Sequence, residues 1–149
     1  MFDSKVRSVA FFVLIAFALC AGVAAQEDVL LYSRMEQLVL AINNGDIPLV
    51  FTFFHPRHLL ENLYYSDLDL SIVDDKLMDR ALCEWGFIAY SGRPLRTLRE
   101  IDELRAFRFE PAWDETLELI LTVRLTDGSL HEYSAFVDAD SWLLFGAAG

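Results

Sequence analysis

Cysteine is nearly absent: the 149 residues hold two, Cys20 and Cys83. Cys20 lies in an N-terminal apolar stretch that reads as a removable leader, so the remaining chain has one thiol and no intramolecular disulfide. The fold must therefore be held by its core. Basic residues are scarce as well, twelve against twenty-three acidic, for a formal net charge of −11. Such a balance repels phosphate backbones and anionic headgroups, which excludes nucleic acid and membrane surfaces as expected partners. The chain shows no repeat, no low-complexity linker and no second domain. Its apolar run from Val9 to Ala21 falls short of the roughly 20 residues of a bilayer-spanning helix.

That run has the layout of a secretory signal. Lys5 and Arg7 precede it and Val23-Ala24-Ala25 follows, which predicts cleavage after Ala25, a single domain from Gln26 to Gly149, and a periplasmic or secreted location. Leu19, just before Cys20, is too bulky for a lipid-attachment signal. The leader takes with it two basic residues and one acidic one, leaving ten against twenty-two and a net charge of −12. This charge suits a basic protein partner or a cationic ligand, and it also serves solubility.

What the sequence does have is a C-terminal run of alternating residues. Leu117, Leu119, Leu121, Val123 and Leu125 are interleaved with Glu118, Thr122 and Arg124, the pattern of a half-buried strand. Asp127-Gly128 turns it, Leu130 to Val137 returns, and a third run, Ser141 to Phe145, follows Asp138-Ala139-Asp140. A two-residue turn would set Val123 against Glu132. A three-residue loop with Gly128 left-handed in a bulge sets Leu121 against Tyr133, Leu119 against Ala135 and Leu117 against Val137, which keeps the apolar face intact and is the expected register. On this alternation a charge at Ile120 should be milder than one at Leu121.

Helices come first. Leu31, Met35, Leu38, Val39 and Ile42 recur at helical spacing from about Asp28 to Asn44. Gly45 ends that helix and Asp46 caps a second, apolar one through Leu49 to Phe54, ended by His55-Pro56. Further helices are expected at Arg57 to Tyr65 and Asp74 to Trp85, then short strands at Phe87 to Tyr90 and Leu104 to Glu110. Leu95 to Glu103 suits a short helix or an extended edge equally. The class is α+β, with N-terminal helices packed on a curved antiparallel sheet.

With helices first and a meander after, the chain resembles the nuclear-transport-factor-2-like superfamily, a cone-shaped α+β fold that includes the ketosteroid isomerases. The matching stretches are Leu38 to Asp46 with the apolar Leu49 to Phe54, the Asp127-Gly128 hairpin, and Trp142 to Gly146. The resemblance implies a curved sheet around helices and a pocket at the cone's mouth. It also implies an enolate-stabilising tyrosine in the first helix, where this sequence has Leu38; Tyr32 lies about 240° away around the helix. The base aspartate of such isomerases has Asp67 as its nearest candidate, and the proton-donating aspartate would fall at Ser134 or Ala135. The isomerase constellation is therefore absent: a non-catalytic binding domain is the first expectation, a small periplasmic enzyme of the ketosteroid-isomerase-like class using the cone as a pocket is the alternative, and no cofactor is expected.

Several residues remain candidates. His55, His58 and Glu61 are three apart, which suits zinc along a helical turn, but Pro56 argues against a regular helix there and no metal is expected. His55, His58, Tyr64 and Asp67 are the acid and base groups that a small enzyme would use. Cys83, within a helical apolar stripe, reads as a packing residue. Arg93, Arg96, Arg99, Arg105 and Arg108 are gathered in sixteen positions and either meet an anionic ligand or partner, or pair internally with the acids from Asp67 to Glu84. Trp85, Tyr90, Trp113, Tyr133 and Trp142 would line a cone's mouth. The expected binding set is Arg96, Arg99, Arg105, Trp113, Tyr133 and Trp142, for a protein partner, an inhibitor or immunity-type protein being one form of this, or for a small apolar ligand. A homodimer through the sheet is the further expectation.

Overall fold

A computed structural model describes residues 29–61, 70–114 and 116–146. Helix α1 spans 29–43. Leu38, Ala41 and Ile42 lie on its buried side. Gly45, at φ +65°, ends it, and Asp46 caps α2 (Ile47–Phe51) by accepting the Leu49 N–H at 3.2 Å. Pro48 fits the first turn, where its missing N–H has no intrahelical acceptor to lose.

Helix α2 is shorter than its apolar sequence suggests. Residues 53–55 leave it to pair with the end of the sheet: the Leu144 N–H donates to the Phe53 carbonyl at 2.8 Å and the His55 N–H to the Leu144 carbonyl at 2.9 Å. Phe53 and Phe54 are buried there. Helix α3 (Pro56–Glu61) follows, starting at Pro56, and buries Leu59 and Leu60. After a 3₁₀ turn at Leu70–Ile72, α4 (Asp75–Ala81) is capped by Asp74, whose carboxylate takes the Leu77 N–H at 2.8 Å. It widens into a π turn, Leu82–Gly86, in which the Phe87 N–H reaches back to the Leu82 carbonyl at 2.7 Å. Phe54 and Phe87 meet edge to face beside it, centroids 5.0 Å apart.

The sheet has five strands, β1 (Ile88–Ser91), β2 (Ile101–Pro111), β3 (Leu117–Leu125), β4 (Leu130–Val137) and β5 (Leu144–Phe145). All its strand pairs are antiparallel, in the order β1-β4-β3-β2, with β5 also against β4. The class is thus α+β. Leu117 pairs with Val137, Leu119 with Ala135 and Leu121 with Tyr133, the bulged register. Gly128 sits at φ +85° and donates to the Leu125 carbonyl, a conformation open to glycine at little cost. One sheet face, with Leu119, Leu121, Val123, Leu125, Tyr133 and Ala135 buried, belongs to the core.

The opposite face corrects a sequence expectation. Ile120 points away from that core, yet it is 0 % exposed, and its cross-strand neighbour Ser134 is 3 % exposed. Arg108 on β2 reaches over β3 to Glu132 on β4, at 2.6 Å, while also holding Glu110. This strap lies across the row that contains Ile120, and the aliphatic stem of an arginine is well suited to covering apolar surface.

Candidate functional site

The segment between β1 and β2 holds most of the arginines and is pinned from several sides. Gly92, at φ +95°, passes so close to His131 that a Cβ there would fall 1.8 Å from Nδ1. The next N–H, of Arg93, donates to His131 Nδ1 at 3.2 Å, and the Tyr133 hydroxyl donates to the Arg93 carbonyl at 2.8 Å. Thr97 starts a 3₁₀ turn, Leu98–Glu100, and its hydroxyl oxygen accepts the Arg99 N–H at 3.3 Å. Asp79, reaching in from α4, accepts the Thr97 hydroxyl and, at 2.7 Å, the Leu98 N–H. Glu100 accepts the Arg96 N–H and the Arg93 guanidinium, each at 3.0 Å. Burial alone would raise the Glu100 pKa, but these two donors hold it below the ordinary carboxylate value.

Two Ser–His–Asp sets flank β4. At its start, Nδ1 of His131 accepts from Arg93, so the proton of the neutral ring is on Nε2 and points at Ser129 Oγ, 2.8 Å away. Ser129 in turn donates to Asp127, whose pKa is lowered chiefly by that bond. Serine is the middle member. In a hydrolytic triad histidine is in the middle, accepting the serine proton while the acid orients it. Here the ring nitrogen facing the serine already carries a proton.

At the other end of β4, Ser141 donates to Asp138, and His55 Nε2 stands 3.2 Å from each of them. The serine bond is the main reason that the Asp138 pKa is lowered. The set braces a turn: Asp140 and Leu143 N–H groups bond to Asp138 and Ser141 side chains, and Trp142 takes φ +58°. A left-handed aromatic residue costs about 1–2 kcal/mol, which the surrounding bonds must hold.

The arginines divide. Arg93 pairs with Glu100, Arg108 with Glu110 and Glu132, and Arg124 with Asp102 and Glu103. Among the described residues these partners are Glu100 of the 3₁₀ turn and acids of the sheet, while Asp79, from the Asp67 to Glu84 segment, reaches the arginine turn and grips backbone and Thr97. Arg105, exposed at a bulge of β2, has among the described residues only Glu103, at 3.7 Å. Arg96 and Arg99 are exposed, and neither guanidinium has an ion-pair partner among the described residues.

The aromatic candidates do not share one site. Tyr133 is buried on the core face and its pKa is raised by burial. Tyr90 is exposed, beside the Arg108 guanidinium at 5.8 Å, and Trp113 is 47 % exposed against Phe136, centroids 4.6 Å apart. Trp142 is half-buried in the β4–β5 turn, and Trp85 is half-buried in the π turn. Of the acid–base candidates, His55 is in the Asp138 set and the His58 ring lies edge-on to Phe145 at 5.9 Å. Tyr64 and Asp67 lie outside the described residues. Cys83 is buried 3.8 Å from Asp79, and burial above all pushes its thiol pKa up, which suits packing and not nucleophilic attack. Among the described residues no three His, Cys, Asp or Glu side chains gather as metal ligands, and no helix is long and apolar enough to cross a membrane.

Sequence reasoning named Asp79 among the acids expected to meet the arginines, but gave no site role to Glu100, Ser129, Asp138 or Ser141. One signal was readable: Thr97 and Glu100 have the spacing of a capping box, although Glu100 takes the N–H of Arg96 rather than that of Thr97 itself. Comparison with known proteins adds nothing to this geometry, since no family model, no curated protein and no solved structure matches the chain.

Proposed function

We propose that this chain is a small exported, non-catalytic binding domain of nuclear-transport-factor-2-like build, acting on a protein partner. The observation that carries this reading is the direction of the serine protons. In both Ser–His–Asp sets the hydroxyl donates to the carboxylate, so neither histidine is poised as a base toward its serine. The same groups fix turns, as expected of a scaffold. The cone-shaped build is supported by the helices-first order, the bulged β3–β4 hairpin and the Leu38 to Asp46 stretch that ends α1. Export rests on the Met1 to Ala25 leader.

Immobilised mature protein, exposed to an extract of the compartment that receives it, should retain a partner in stoichiometric amount and leave small molecules unchanged. Conversion of a small molecule that disappears in His55→Ala or His131→Ala variants would replace this reading with an enzymatic one.

A further inference from the structure

The two carboxylates that grip the backbone of this turn make their hydrogen bonds to other groups, and Glu100 reaches the Arg96 guanidinium only as a through-space charge. Asp79 holds Thr97 and the Leu98 N–H; Glu100 holds Arg93 and the Arg96 N–H. In a chain with twenty-three acidic residues, Arg80, Arg93, Arg105, Arg108 and Arg124 each find an acid within 3.7 Å. Arg96 and Arg99, like the scattered Arg57 and Lys76, are left without one among the described residues, and they alone of these four sit close together in one turn. Leu95 and Leu98, alternating with them, are buried, so the turn cannot rotate without exposing apolar surface. Two solvent-facing guanidiniums therefore leave a fixed base.

We propose that Arg96 and Arg99 are the docking point for an acidic segment of a protein partner, each guanidinium taking one carboxylate. This rests on the binding-domain reading and names the chemistry of its partner. The planar fork of arginine matches a carboxylate with two parallel hydrogen bonds. A fixed base lowers the ordering cost that usually makes exposed ion pairs weak. The acidic remainder of the surface repels the same partner, which confines contact to this turn and sets its orientation. Free phosphate is a poorer fit. Anion sites of that kind use unoccupied backbone N–H groups, and here the Arg96, Leu98 and Arg99 N–H groups are taken by Glu100, Asp79 and Thr97.

The test is fluorescence anisotropy of a labelled oligo-glutamate peptide titrated with the purified chain at low salt, beside an Arg96→Gln/Arg99→Gln variant whose melting temperature is checked to be unchanged. Binding should weaken by about tenfold or more in the variant, the loss expected when two charge-assisted contacts go, and inorganic phosphate at matched ionic strength should not displace the peptide. Equal binding by both proteins, or displacement by phosphate, overturns the proposal. So does a chain that ignores the peptide while still retaining a partner, an outcome that leaves the binding-domain reading standing. Enzymatic conversion of a small molecule would instead remove that reading itself.

Discussion

Arg108 Nη1 and Glu132 Oε1 meet at 2.6 Å although they stand on β2 and β4, two strands separated by β3. Glu110 holds Nε of the same arginine at 3.0 Å, and the Tyr90 ring lies 5.8 Å from its carbon. One side chain thus ties an edge strand to the middle of the sheet, on the face that carries Ile120. An arginine so placed is part of the architecture and not of a binding surface.

Ile120→Asp should therefore unfold the domain about as readily as Leu121→Asp, because both side chains are buried, at 0 % and 2 % exposure. A buried charge without a partner belongs to the class of changes that costs about 4–5 kcal/mol or more. Arg108→Ala should lower the urea midpoint by uncovering Ile120, and Arg108→Met, which keeps the stem, should recover part of the loss. Urea unfolding of the four variants decides it. A harmless Ile120→Asp would mean that the strap opens freely.

Gly92→Ala should be destabilising for two separable reasons. The new methyl would fall 1.8 Å from His131 Nδ1, and φ is +95°. Adding His131→Ala should relieve the collision and leave the backbone strain, about 1–3 kcal/mol. A double-mutant cycle measured by urea unfolding should therefore show strong coupling between the two positions. Additive effects would rule out the close packing of Gly92 on the imidazole.

Acid sensitivity should follow the serine-bonded aspartates. Asp138 has its pKa lowered, first by the Ser141 hydroxyl and also by the Asp140 N–H and His55, against a smaller opposing effect of burial. A group with a depressed folded pKa adds stability that is present above its unfolded value and is lost as pH falls through the folded one. The loss should thus occur below the ordinary aspartate value of 3.8. Ser141→Ala should move the Asp138 midpoint upward in an NMR titration, and acid unfolding should begin at higher pH. An unchanged midpoint would show that the hydroxyl does not bond the carboxylate in solution.

Which parts of this were legible in the sequence depends on how far apart the interacting residues lie. The β3–β4 register followed from strict alternation and one glycine, both local. The early end of α2 did not, because the pull on Phe53 comes from Leu144, at the far end of the chain. Burial of Ile120 was hidden for a different reason: alternation assigns a face correctly but does not show that the cross-strand neighbour Arg108 extends over that face to Glu132 on β4. Within the candidate site, Thr97 and Glu100 announce a capped turn, while Asp79 arrives from a helix eighteen residues earlier. Nothing in the spacing of the arginines separates Arg93 and Arg108, which are paired, from Arg96 and Arg99, which are not.

That division gives the last prediction. Changing Arg93, Arg108 and Arg124 together to Gln removes the bonds to Glu100, Glu110, Glu132, Asp102 and Glu103. The melting temperature should fall, and high salt should partly mimic the change in the unmodified chain, because screening weakens the same exposed pairs. Changing Arg96, Arg99 and Arg105 together to Gln removes one loose contact, Arg105 to Glu103 at 3.7 Å. Stability should then stay close to that of the unmodified chain at every salt concentration, or rise slightly if these cations repel one another. Both triple variants lose the same charge, so the comparison cancels the effect of net charge and leaves that of pairing. A large, salt-sensitive loss of stability in the second variant would mean that Arg96 and Arg99 hold the fold together, and would remove them from any role in recognising a partner.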